Sequence, residues 1–146
     1  MGYTHYWRFD TLPVIPAEAR VVLKEILDKA YAQGIIQYEA DVRKEPFLTD
    51  TEIRFNGVGE DGHETFHFNI HDDYRTEDGR VFAFCKTAKK PYDAIVMRVL
   101  ITLKYFLRDG LNVSSDGSFG DEWIQTRTEM ADKYGMTTYV DEELTV

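Results

Sequence analysis

The sequence has a single cysteine, Cys85, no apolar run of membrane-spanning length, and fewer positive than negative side chains. A lone cysteine excludes an internal disulfide framework and a cysteine-rich zinc site, and it makes a reducing cytoplasm the expected compartment. Cys85 lies within an alternating segment and reads as a core residue rather than a nucleophile. No stretch approaches the roughly 18 apolar residues a membrane helix requires. The opening Met1-Gly2-Tyr3-Thr4-His5-Tyr6-Trp7 has neither the basic nor the apolar region of a secretion signal. A soluble protein without a membrane partner is expected. Seventeen Lys and Arg against 26 Asp and Glu give a net charge of −9. That charge repels nucleic-acid phosphates and anionic lipid unless the cations are gathered in one place, which disfavours general DNA or RNA binding. Repeats, low-complexity tracts and linkers are absent, and 146 residues suit one domain, 1–146, that buries its own core.

What is present is patterned. Tyr3 to Phe9 alternate, with Tyr3, His5, Trp7 and Phe9 on one face and Thr4, Tyr6 and Arg8 on the other, and predict a first strand. After the Leu12-Pro13-Val14-Ile15-Pro16 connector, apolar residues at spacings of three and four carry a helix to about Gln33, where Gly34 supplies a left-handed stop. Residues 35–38 carry a weak strand signal. Alternation returns in Thr51 to Asn56 and His63 to Ile70, on either side of a glycine-rich turn, and Arg80 to Lys86 is the next strand. These runs predict an antiparallel meander. Pro91 opens the strongest helix, reaching Arg108; its Ile95, Val96, Val99, Leu100, Leu103, Phe106 and Leu107 predict packing across the sheet. Leu111 to Ser115 is a further strand, and Ser118 with Asp121 has the spacing of a capping box ahead of a third helix ending at Tyr134. Thr137 to Val140 is an edge-strand candidate, followed by an acidic tail expected to fray. The predicted class is α+β: an antiparallel β-meander sheet packed against two main helices and a shorter C-terminal one.

Lys86-Thr87-Ala88-Lys89-Lys90-Pro91-Tyr92-Asp93 puts three cations at the entrance of the buried helix, in a chain that is otherwise acidic. A helix N-terminus carries about +0.5 of a charge, so lysines there are locally unfavourable. Two compensations are open. The lysines pair with the surplus carboxylates, or free N–H groups, the Thr87 hydroxyl and the ammonium groups cradle a guest phosphate or carboxylate. Ser114-Ser115-Asp116-Gly117 ends a strand ahead of a helix; it is either an ordinary turn or a set of hydroxyls and a carboxylate suited to a ribose. Tyr6 and Trp7 offer rings for stacking on a flat ligand where one face of their strand stays open, and aromatic surfaces serve homo-oligomer contacts equally well. The leading expectation is a non-catalytic binder of a small anionic, nucleotide-like ligand. Lys86, Thr87, Lys89 and Lys90 would meet phosphate, Ser114, Ser115 and Asp116 the sugar, and Tyr6 or Trp7 the base, with no cofactor or metal.

His63, His67 and His71 recur every four residues, a metal-binding spacing on a helix. On a strand, at roughly 3.3 Å per residue, the same spacing separates neighbours by about 13 Å, too far to share one ion. They are expected opposite Phe66, Phe68 and Ile70, which face the core. His63-Glu64-Thr65-Phe66 also fits the short His-x-Thr-apolar signature of two-histidine phosphoesterases, although a second copy is missing. A metal-independent phosphoesterase using His63 or His67 is the enzymatic alternative. No histidine lies near Ser114 or Ser115 in sequence, so a hydrolase triad needs a distant one to fold in.

The segments Met1 to Trp7, Arg54-Phe55-Asn56-Gly57, Phe84 to Asp93 and Ser114-Ser115-Asp116-Gly117 resemble parts of small uncharacterised proteins from bacteriophage and prophage genomes, the lysine segment most specifically. The resemblance implies a phage origin and a host cytoplasm, and it brings no assigned activity. It also implies arginine where this chain has Lys89, a change that keeps the charge and loses bidentate recognition. Phage accessory proteins of this size bind and sequester host molecules, nucleotide immune signals among them, so the analogy points to an anti-defence binder. A third alternative is an acidic inhibitor that docks a basic host protein.

Overall fold

The first strand, predicted from its aromatic–polar alternation, lies at the centre of a three-stranded sheet. The structure, a computed structural model, describes residues 3–9, 14–71 and 80–146. In chain order its elements are β1 (Thr4–Phe9), α1 (Ala17–Ala32), β2 (Ile36–Gln37), β3 (Phe47–Leu48), β4 (Glu52–Gly57), β5 (Phe66–Asn69), β6 (Val81–Lys86), α2 (Asp93–Leu107), β7 (Leu111–Ser115), α3 (Ile124–Tyr134), β8 (Tyr139–Asp141) and β9 (Glu143–Thr145). Every strand pairing is antiparallel, and the α+β class holds. A polar loop is expected from His71 to Gly79; its residues 72–79, and Leu12 and Pro13 of the connector, lie outside the described residues.

Two larger sheets hold β1 to β7, and β8 and β9 pair with each other. β3, β4 and β5 form the antiparallel meander, with β2 on the far end of β4. β6, expected as the meander's next strand, instead pairs with β1, giving a three-stranded sheet in the order β6-β1-β7. Burial explains the switch. Trp7 and Phe9 on the inner face of β1 are 1 % exposed and lie against Phe66 and Phe68 of β5, with Trp7–Phe66 centroids 4.9 Å apart and Phe9–Phe68 5.7 Å. The two sheets therefore meet face to face through aromatic rings, and β6 extends the sheet that supplies the other half of that core.

α2 packs on β7, α1 and α3. It is buried nearly all round, as its composition predicts, including Lys104, whose ammonium donates to the carbonyls of Arg108 (2.8 Å) and Leu111 (2.6 Å). Lys104 thus closes the helix end onto β7, and burial pushes its pKa below the ordinary lysine value. Two C-terminal expectations are corrected. Ser118 and Asp121 do not form a capping box; the Ser118 N–H is taken by the Glu122 carboxylate at 2.8 Å instead. The acidic tail folds into the β8–β9 hairpin because Leu144, 1 % exposed, has a core to enter.

Replacing Trp7 with alanine is expected to cost about 3–5 kcal/mol in urea unfolding, as for other buried tryptophans. Phe84→Ala, on the opposite face of the same sheet, is expected to change stability by less than about 0.5 kcal/mol. Similar losses at both positions would contradict the assignment of inner and outer faces.

Candidate functional site

β6 and β7 both run antiparallel to β1, so their C-terminal ends flank its first residues: Thr4 opposes Lys86 and His5 opposes Ser115. Strand spacings of about 4.8 Å put the two ends roughly 10 Å apart, at the end of the sheet where α2 begins. The lysine segment and Ser114–Asp116, remote in sequence, are thereby neighbours. Alternation then sends their side chains to opposite faces of the sheet.

On the inner face, His5 is fully buried and bonds on both sides of its ring: Nδ1 to Ser115 Oγ (2.7 Å) and Nε2 to Asp93 Oδ1 (2.6 Å). Thr87, also fully buried, donates its hydroxyl to the same Asp93 oxygen. Ser115 Oγ receives two more donors, the Gly117 N–H (2.9 Å) and the Trp123 indole N–H (3.2 Å). Neither donor can accept, so both lone pairs of Oγ are used and its own proton goes to His5 Nδ1; the ring proton is then on Nε2, facing Asp93. Serine, histidine and aspartate are thus linked in the order of a hydrolase triad by a distant histidine that sequence proximity could not reveal. The oxygen nevertheless has no lone pair open to an electrophile, and the enclosed imidazole has no path to a leaving group. The network is a structural tie between β1, β7, α2 and the residues before α3.

This changes the roles expected of several residues. Thr87 and Ser115 are committed inside the network and do not reach a ligand. Trp7 is in the core and offers no stacking surface, because β1 is central and its inner face is covered by β5. Four of the N–H groups expected to cradle an anion are taken: that of Lys86 by the Glu64 carboxylate, those of Thr87 and Ala88 by the Tyr3 carbonyl, and that of Lys90 by the Thr87 carbonyl. Asp93, in the first turn of α2, already offsets the helix dipole. Lys89 lies over the Tyr3 ring at 4.9 Å, and among the described residues Lys86, Lys89 and Lys90 form no ion pair. Ala88 and Lys89 hold left-handed backbone (φ 52° and 58°), a conformation unfavourable for residues with a Cβ.

The outer face carries a row of rings. Tyr6 stacks on Phe82 with centroids 6.0 Å apart and planes 25° from parallel, and Phe82 is 6.2 Å from Phe84, which is 54 % exposed. Lys86 follows Phe84 on the same face by strand alternation, and Ser114 opposes Tyr6. Asp116 is fixed at the sheet's end, with one oxygen accepting the Tyr6 hydroxyl (3.0 Å) and the other the Thr4 N–H (3.1 Å). The bond to Asp116 raises the Tyr6 pKa above the ordinary tyrosine value. Sequence reading missed Phe82 and Phe84; the signal was aromatics at alternate positions of a strand whose other set, Val81, Ala83 and Cys85, already supplies a core face.

The histidine expectation is met in part. His67 faces outward between buried Phe66 and Phe68, and it bonds Glu52 at 2.6 Å. His63 is exposed and precedes the strand, its backbone held by Asn56. Among the described residues no cluster of metal-ligating side chains forms. Comparison with protein-family models, curated protein sequences and solved structures finds no match for this chain.

If Ser115 is a structural hub, Ser115→Ala should cost about 1–3 kcal/mol by orphaning its buried partners, and a fluorophosphonate probe should leave the native serine unlabelled. Labelling of Ser115 would restore the triad. Burial pushes the Cys85 thiol up to about 12, so Ellman's reagent at pH 8 should react only after unfolding.

Proposed function

We propose that the outer face of the β6-β1-β7 sheet binds a small nucleotide-like anion without turning it over. The observation that carries this reading is Phe84: a large ring, 54 % exposed, that extends the Tyr6–Phe82 row on one side and on the other precedes Lys86, which forms no ion pair among the described residues. A nucleobase stacking on such a ring gains about 1–3 kcal/mol, and the neighbouring ammonium suits its phosphate. In this reading Ser114 and Asp116 would take the sugar hydroxyls, Asp116 through the lone pairs that its bonds to Tyr6 and Thr4 leave free. Lys90, at the same end of the sheet, adds to the local positive potential.

The net charge of −9 favours a short ligand over a nucleic-acid strand, since a strand would bring more phosphates than these few cations can balance. Binding is favoured over catalysis because, among the described residues, the Ser114 hydroxyl on this face bonds to no base, and Ser115 and Cys85 point inward. A host-derived nucleotide signal and a sequestering role fit this chemistry and the resemblance to phage proteins.

The reading is tested by thermal unfolding with a panel of nucleoside monophosphates, diphosphates and cyclic dinucleotides. At about 100 times the dissociation constant, a binder gains about 2.7 kcal/mol, roughly 5–10 °C in Tm for a domain of this size. Phe84→Ala and Lys86→Glu are each expected to remove most of that gain, Phe84→Tyr to keep it, and the nucleotide to be recovered intact. A shift that survives in the double variant, or a panel in which nothing shifts, would overturn the proposal.

A further inference from the structure

A second recess lies at the helices. α1 and α3 both pack on α2, and the space left between them is a cavity of about 420 Å³. That volume falls within the roughly 300–1,000 Å³ of small-molecule sites. Its apolar lining comes from Ile26 and Ala30 of α1 and Met130 of α3, each no more than 6 % exposed. One side of it is bridged between the helices: Glu25 accepts the Tyr134 hydroxyl at 2.8 Å and pairs with Lys133 at 3.0 Å. These bonds hold the Glu25 carboxyl below its ordinary pKa.

The charges around the cavity are unequal in what they have left to give. Glu25 is committed to Lys133 and Tyr134, and Glu129 to Arg98 and Gln125. Arg98, from α2, spends one nitrogen on Glu129 at 2.7 Å, and among the described residues its remaining donors have no partner. Lys29, one turn before Gln33 on α1, forms no ion pair among the described residues. Asp132 is the one uncommitted acid of the lining, and it is exposed at the rim. An apolar floor between a guanidinium on one helix and an ammonium on another matches a molecule with a hydrocarbon body and one anionic head.

We infer that this interhelical cleft is a binding site for a small apolar carboxylate, its chain on Ile26, Ala30 and Met130 and its head between Arg98 and Lys29. The site shares no residue with the sheet face and does not depend on the nucleotide reading.

Octanoate is the probe, with octan-1-ol and octylamine as its uncharged and cationic counterparts, followed by isothermal titration of the full chain. Octanoate is expected to bind saturably, octanol more weakly and octylamine not at all. Lys29→Glu, at an exposed position that leaves the core intact, should raise the octanoate Kd about tenfold or more. Ala30→Phe, which fills the cavity, should abolish binding, while Phe84→Ala should leave it unchanged. The inference is overturned if octanoate fails to bind the wild type, if octylamine binds as well as octanoate, or if Lys29→Glu binds octanoate like the wild type.

Discussion

The buried imidazole of His5 is the constraint on which the sheet's functional end depends. It has no access to water, so both its nitrogens must find partners within the protein, and each does: Ser115 from β7 and Asp93 from α2. Those partners are fixed in turn, Asp93 by Thr87 and Ser115 by Gly117 and Trp123. One ring therefore sets the positions of the two strand ends, the start of the central helix and the indole ahead of the last helix. Gly117 belongs to the same constraint. A Cβ there would stand 2.1 Å from the Tyr3 hydroxyl, so only glycine lets its N–H approach the serine.

This inner rigidity leaves the outer face as a platform. Interactions that could have held a ligand, the Thr87 hydroxyl, the loop N–H groups and the Asp93 carboxylate, are spent on holding the lysine loop in place. The loop still carries its ammonium groups, and its two left-handed residues are a conformational cost tolerated because the surrounding bonds over-determine the path. Charge and aromatic surface meet where the strand ends, at Phe84 and Lys86. The division of labour follows from the period of a strand: successive side chains alternate, so a core face and a ligand face can share six residues of β6.

Much of the fold was legible because its elements are strongly periodic. β1, α1, the β4–β5 hairpin, α2 and β7 all lie where alternation or a spacing of three and four places them. Partner choice was not legible. Nothing local in Val81–Lys86 distinguishes pairing with β5 from pairing with β1; the decision is made by the contact of Trp7 and Phe9 with Phe66 and Phe68, which are far apart in sequence. The site was half legible for the same reason. The proximity of the lysine and Ser114–Asp116 segments follows from strand order, which periodicity does not encode. Trp7 and Ser115 were assigned to a ligand because their chemistry suits one, whereas strand alternation sends both inward.

The His5 network also shows why residue types in the right order do not by themselves make an active site. A serine hydroxyl has one proton and two lone pairs, and a nucleophile must keep one lone pair free. In a hydrolase the donors that stabilise developing charge are aimed at the substrate's oxygen. In this protein the two nearby N–H groups are aimed at the serine itself. The same geometry that polarises the hydroxyl toward histidine also saturates it, so the arrangement gains rigidity where an enzyme would keep reactivity. We place the proposed small-molecule sites on the outer face and in the helical cleft instead. Both combine an apolar surface with cationic groups that keep donors to spare, in a chain whose overall charge makes cations scarce: Lys86 on the face and Lys29 in the cleft form no ion pair among the described residues, and Arg98 keeps donors beyond its pair with Glu129.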